Sequence, residues 1–180
     1  MNKTYFVSTA LKRLFLMSAF CTLVWMIVMS VAIKPLNSKQ IVAFELAKTT
    51  EIATRIIDGW EQADVISNAR RSIYLDFVFL FLYSAAICLG CIVLSVFTEN
   101  ITLISLGKFL SAIVPLAGVF DVIENLAMLN TLSGVVTALP VAIAFWFAMC
   151  KFSILVFSLV FLLICLAVWG LKLRLRKGNL

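Results

Sequence analysis

Residues 14–33 form an unbroken stretch of 20 positions without a charged side chain, and three further stretches, 73–97, 103–129 and 152–171, are nearly as apolar. A helix needs about 20 apolar residues to cross a hydrocarbon core about 30 Å thick, so the chain is written to cross a membrane four times. Composition supports the same conclusion. With 63% hydrophobic and 13% charged residues and a mean hydropathy of +1.11, there is too little polar surface to cover a water-soluble globule. Four spans also leave no room in 180 residues for a separate soluble catalytic domain. A single membrane domain over 1–180 is expected.

The first span is preceded by Lys12 and Arg13 and followed by Lys34-Pro35. Ser30-Val31-Ala32 passes loosely for a signal-peptidase site, but an apolar run of this length exceeds the core of a cleaved leader and favours a retained anchor. Between the first and second spans the composition changes. Over residues 38–71, Ile41, Ile52, Ile56, Trp60, Ala63 and Ile66 fall on one helical face, and Glu51, Thr54, Asp58, Glu61 and Asn68 fall on the other. That pattern predicts a long external amphipathic helix with Ser38 as N-cap and a break near Gly59. Five acidic and six basic residues between Lys34 and Arg71 balance one another, which speaks for packing rather than for a polybasic lipid patch.

Beyond residue 130 the apolar stretch 135–150 holds about 16 residues, contains Pro140 and follows Ser133-Gly134. Counted as a span it would make five, but it is short for one and reads better as an interfacial or re-entrant helix ahead of span four. The charge pattern agrees with an even number of spans. Lys3, Lys12 and Arg13 lie before the first span, and Lys172, Arg174, Arg176 and Lys177 follow the last, so both termini are expected to be cytoplasmic. The formal charge of +6 concentrates at these ends, where anionic headgroups supply the counter-charge, and nucleic acid is not an expected partner.

Threading this topology brings the charges of the apolar stretches, apart from Lys108 near the entry of span three, to one depth, in the outer leaflet. Asp76 lies at the start of span two, Asp121, Glu124 and Asn125 near the end of span three, and Lys151 at the start of span four. An ionisable group in a membrane costs roughly 2.5–3.5 kcal/mol on insertion scales, so such residues face partners, cavities or ligands. Spacings of three and four put Asp121, Glu124 and Asn125 on one helical face. Asp76, Phe79, Tyr83, Ala86 and Gly90 share a stripe on span two, as do Lys151, Leu155, Ser158, Leu162 and Cys165 on span four. Lys151 is expected to pair with one carboxylate, with Arg70 or Arg71 approaching another. The candidate polar cluster is therefore Asp76, Asp121, Glu124, Asn125, Lys151 and Arg71.

The motifs Leu75-Asp76-Phe77, Ala117-Gly118 followed by Asp121-x-x-Glu124-Asn125, and Lys151-Phe152 resemble, in their order, a group of bacterial four-span inner-membrane proteins for which no activity is assigned. The resemblance covers residues 38–171 and implies the architecture and a bacterial inner membrane. Cys88-Leu-Gly-Cys91 has the spacing of quinone-linked membrane thiol oxidoreductases, but residues 34–72 supply no exchange-competent cysteine and no basic residue stands near to lower a thiol pKa. Core packing without a disulfide is expected for Cys21, Cys88, Cys91 and Cys165. With no histidine in the chain, a transition-metal or haem site is not expected, and no cofactor motif is present.

These features point to a non-enzymatic inner-membrane component for binding, sensing or assembly, surrounded by lipid and associated with itself or other membrane chains. The competing expectation is a small membrane enzyme or an ion or proton pathway built on the carboxylate–lysine cluster.

Overall fold

The computed structural model describes residues 6–178 and is all-helical among them. Its elements are α1 (Thr9–Ala32), α2 (Ser38–Glu45), α3 (Thr50–Gln62), α4 (Ile66–Thr98), α5 (Ile101–Ser133) and α6 (Ala138–Gly178). Four of these, α1, α4, α5 and α6, are long and apolar enough to cross a membrane. Lys3 and the side chain of Lys177, both used above as topology markers, lie outside the described residues.

Local sequence explains most helix ends. Ser8 accepts from the Leu11 amide at the start of α1, and Asn37 and Gln40 form a reciprocal capping box at α2. Ser38 is therefore the first helical residue rather than the cap. The long helix expected over 38–71 is divided three ways. Thr49 accepts from the Ile52 amide and so starts α3 afresh, and Asp64, at φ 54° in the left-handed region, ends it before α4 begins. Gly59, where the break was expected, sits inside α3.

A second difference concerns residues 135–150. No short helix precedes span four, because α6 runs without interruption from Ala138 through Lys151 to its end. Pro140 is tolerated because it lies in the first turn, where backbone N–H groups have no intrahelical acceptor to lose. Pro115 stands inside α5 and deprives the Ser111 carbonyl of its usual donor. The Cys88 thiol on α4 donates to that carbonyl at 3.3 Å, giving this cysteine a structural occupation. All five cysteines are free thiols.

Helices α4, α5 and α6 pack mutually, and α1 lies along α4, tied to it by Trp25 Nε1 donating to the Leu75 carbonyl at 3.1 Å. Between α4 and α5, a Cβ on Gly107 would stand 2.5 Å from both the Cys91 carbonyl oxygen and Ser95 Oγ, so only glycine permits this approach. At the far end, α2 and α3 cap the bundle. Two apolar cores result. One, around Leu80, Ile87, Cys91, Val114, Phe161 and Cys165, fills the bundle; the other, around Phe44, Ile57, Trp60, Ile73, Met128 and Val141, joins the cap to the ends of α4–α6.

Candidate functional site

Between these two cores lies a polar layer. Helix α5 contributes Asp121, Glu124 and Asn125 from the single face that their spacing requires, all at most 1% exposed. Helix α6 contributes Lys151, 4% exposed, whose Nζ lies 2.8 Å from Asp121 Oδ1 and 2.8 Å from Glu124 Oε2. The contact with Asp121 is a hydrogen bond, whereas that with Glu124 is an ion contact without hydrogen-bond alignment. Glu45 on α2 approaches the same ammonium at 3.7 Å, and the Phe152 ring lies 4.8 Å from it. From α4, the Tyr83 hydroxyl donates to Asp121 Oδ2 and Asp76 Oδ2 accepts from Asn125 Nδ2, each at 2.8 Å.

Of the six residues expected in the cluster, five converge: Asp76, Asp121, Glu124, Asn125 and Lys151. Arg71 does not. It is exposed and reaches the Ala32 carbonyl at 3.5 Å, while Arg70 donates to the Leu132 carbonyl at 3.2 Å. Both arginines lie on the turns of α4 that face the ends of neighbouring helices, where unpaired carbonyls are the nearest acceptors. Two residues join the network without having been expected there. Tyr83 shares the Asp76 stripe of span two, and its hydroxyl is what brings it into the network. Glu45 follows the buried Ile41 by one helical turn, and an acid on the apolar face of a short helix was the available signal.

A cavity of about 260 Å³ opens onto this layer. Its polar floor is Glu45, Asp76, Tyr83, Asp121, Asn125 and Lys151, and its walls include Met26 and Met29 of α1, Ile33 just after it, Ile41 of α2, Phe79 of α4 and Leu155 of α6. Met26 and Ser30 are also exposed, so the cavity reaches the surface of the bundle beside α1. The layer carries four carboxyl groups against one ammonium. In a low-dielectric interior that imbalance calls for bound protons or for a cation from outside. Burial pushes the Glu45 carboxyl above its ordinary range, with Lys151 pulling it back only in part. Among the described residues, no three carboxylate or thiol groups converge in an arrangement that would hold a metal ion.

At the opposite end of the bundle, Glu99 in the α4–α5 turn pairs with Lys172 and, at 3.2 Å, with Arg176 of α6. Lys172 in particular holds the Glu99 carboxyl below its usual range.

Fold and site together define a helical bundle with four membrane-length helices and a buried ion network beside a cavity. No protein-family model, curated protein or solved structure matches the chain.

Proposed function

We propose that this chain is a non-enzymatic, multi-pass component of a bacterial inner membrane, and that it binds a small amphiphilic molecule in the cavity between α1, α2 and the α4–α6 bundle. The carrying observation is that the cavity combines apolar walls with a floor of buried, convergent polar groups, the usual makeup of a small-molecule site. Insertion with both termini cytoplasmic is supported by Lys12, Arg13, Lys172, Arg174 and Arg176, which gather at one end of the helices. From Lys172 back to Lys151 along α6 is about 30 Å at 1.5 Å per residue, so the polar layer lies one hydrocarbon thickness from the basic end. On this reading the layer sits at the outer boundary, and α2 and α3 cover it from outside. Lipid surrounds the bundle, and the outward face of α1, with Leu16, Phe20, Leu23 and Ile27 exposed, is available to other membrane chains, a second copy included.

The binding reading is tested by thermal unfolding of the full chain in phosphatidylcholine nanodiscs against a panel of single-chain amphiphiles. A ligand that binds only the folded state at a hundred times its Kd adds about 2.7 kcal/mol. At least one head-group class is expected to raise Tm in the wild type and not in Met26→Trp, which fills the cavity from the exposed side of α1. Equal behaviour of both proteins across the panel contradicts a cavity site.

A further inference from the structure

Resting on that binding role, the geometry points to a ligand whose buried end is an organic cation, a primary or secondary ammonium on an alkyl chain, received by Asp76, Glu45 and Asn125. The inference follows from which polar atoms around the cavity are already used. Lys151 is committed to Asp121 and Glu124, the Tyr83 hydroxyl to Asp121, and the Asn125 amide nitrogen to Asp76. What remains is acceptors. Asn125 Oδ1 and Glu45 Oε2 are buried without a hydrogen-bond partner, on residues 1% and 8% exposed, and both residues line the cavity. A buried polar atom left unpaired costs about 1–3 kcal/mol; Asn125 Oδ1 meets no donor among the described residues, and the donor facing Glu45 Oε2, the Lys151 ammonium, stands at 3.7 Å, beyond hydrogen-bond reach.

Charge selects among donors. An alcohol could bond to these oxygens but would leave three more carboxyl groups than ammonium groups in the layer, whereas an ammonium bonds to them and offsets part of that excess. An anionic head group would meet Glu45 and Asp76 with no cation free to receive it, because Lys151 is surrounded by three carboxylates. Size and walls select an organic over an inorganic cation. A bare ion would leave most of about 260 Å³ of methionine, isoleucine and phenylalanine-lined space unfilled. The same volume lies below the roughly 300–1,000 Å³ of sites that enclose a whole drug-sized ligand, so it suits a head group and the first carbons of a chain. The remaining chain passes beside Met26 and Met29, whose flexible thioethers adapt to alkyl groups of differing length.

The experiment compares dodecylamine, dodecanol and dodecanoate as probes, with the full chain in phosphatidylcholine nanodiscs. Binding is read by equilibrium dialysis and by Tm. Dodecylamine is expected to bind about tenfold or more tightly than dodecanol, the margin of one charge-assisted over one neutral hydrogen bond, and dodecanoate weakest of all. Asp76→Asn, which keeps a hydrogen-bonding partner for Asn125, and Glu45→Gln on the cap are each expected to weaken dodecylamine binding more than dodecanol binding and so to narrow the amine-over-alcohol margin. A variant that does not fold is recognised by loss of its cooperative unfolding transition, and the other variant then decides. Equal binding of amine and alcohol, or a preference for dodecanoate, overturns the cation inference but leaves the cavity as a binding site. Absence of binding by all three probes, in the wild type as in Met26→Trp, overturns both.

Discussion

Replacing Lys151 with methionine removes the one ammonium that the described residues bring to the polar layer while nearly preserving side-chain volume. The magnitude follows from the environment. Lys151 is 4% exposed and lies within 2.8 Å of Asp121 and Glu124 and 3.7 Å of Glu45, so the substitution strips compensation from carboxylates that water does not reach. Breaking a buried ion pair from one side costs about 3–5 kcal/mol, against about 0–1 kcal/mol for an exposed pair. The Glu99–Arg176 contact is exposed and serves as the internal control, so Arg176→Met should change little. The assay is unfolding of the purified chain in mixed micelles, followed by tryptophan fluorescence and circular dichroism. Adding Asp121→Asn and Glu124→Gln to Lys151→Met should restore most of the loss, because the liability is the orphaned charge rather than the missing lysine. A loss below about 1 kcal/mol for Lys151→Met, or a triple variant less stable than the single one, refutes the reasoning.

Tyr83→Phe leaves Asp121 Oδ2 without its 2.8 Å donor, and a loss of about 1.5 kcal/mol is expected in the same unfolding assay. Gly107→Ala should cost about 1–3 kcal/mol, because its Cβ would stand 2.5 Å from the Cys91 backbone carbonyl; Gly118→Ala should cost less, since there the closest atom, at 3.0 Å, is the rotatable Ser84 hydroxyl. Glu45 carries a pH signature. Burial raises its carboxyl in the folded chain, Lys151 opposes that only in part and Asp121 adds to it, so the folded state holds the proton to higher pH than the unfolded state. The resulting destabilisation is absent below the unfolded value of about 4.5 and grows as pH rises towards the folded value. Glu45→Gln should therefore gain Tm relative to wild type as pH is raised from there to neutrality; a gain confined to acid pH has the wrong sign.

The long helices were legible because length and hydropathy alone decide them, and the converging charges were legible because matched depth and a spacing of three or four fix which side chains share a face. Glu45 was not. Its place depends on how α2 folds back over the bundle, and that in turn depends on Asn37, Thr49 and the left-handed Asp64, whose caps divide what periodicity reads as one amphipathic helix. The continuity of α6 is hidden in the sequence for a related reason. Pro140 and Lys151 look like interruptions in a linear text, but the first occupies a turn with no hydrogen bond to lose and the second has two carboxylates waiting on α5. Arg71 lies near the cluster in sequence but, five residues before Asp76 and so on a different face of α4, is exposed and reaches a helix-end carbonyl instead.

The central claim, that the cavity floored by Asp76, Asn125 and Glu45 receives an amphiphile, is tested most directly by photolabelling. The full chain in phosphatidylcholine nanodiscs is irradiated with a dodecylamine analogue carrying a diazirine near its head group, and adducts are mapped by peptide mass spectrometry. The expected result is labelling concentrated on Met26, Met29, Ile33 and Phe152, abolished by excess dodecylamine and absent from Met26→Trp. Labelling spread over exposed apolar residues on the outside of the bundle such as Phe157 and Leu163, without competition by dodecylamine, is the result that contradicts it.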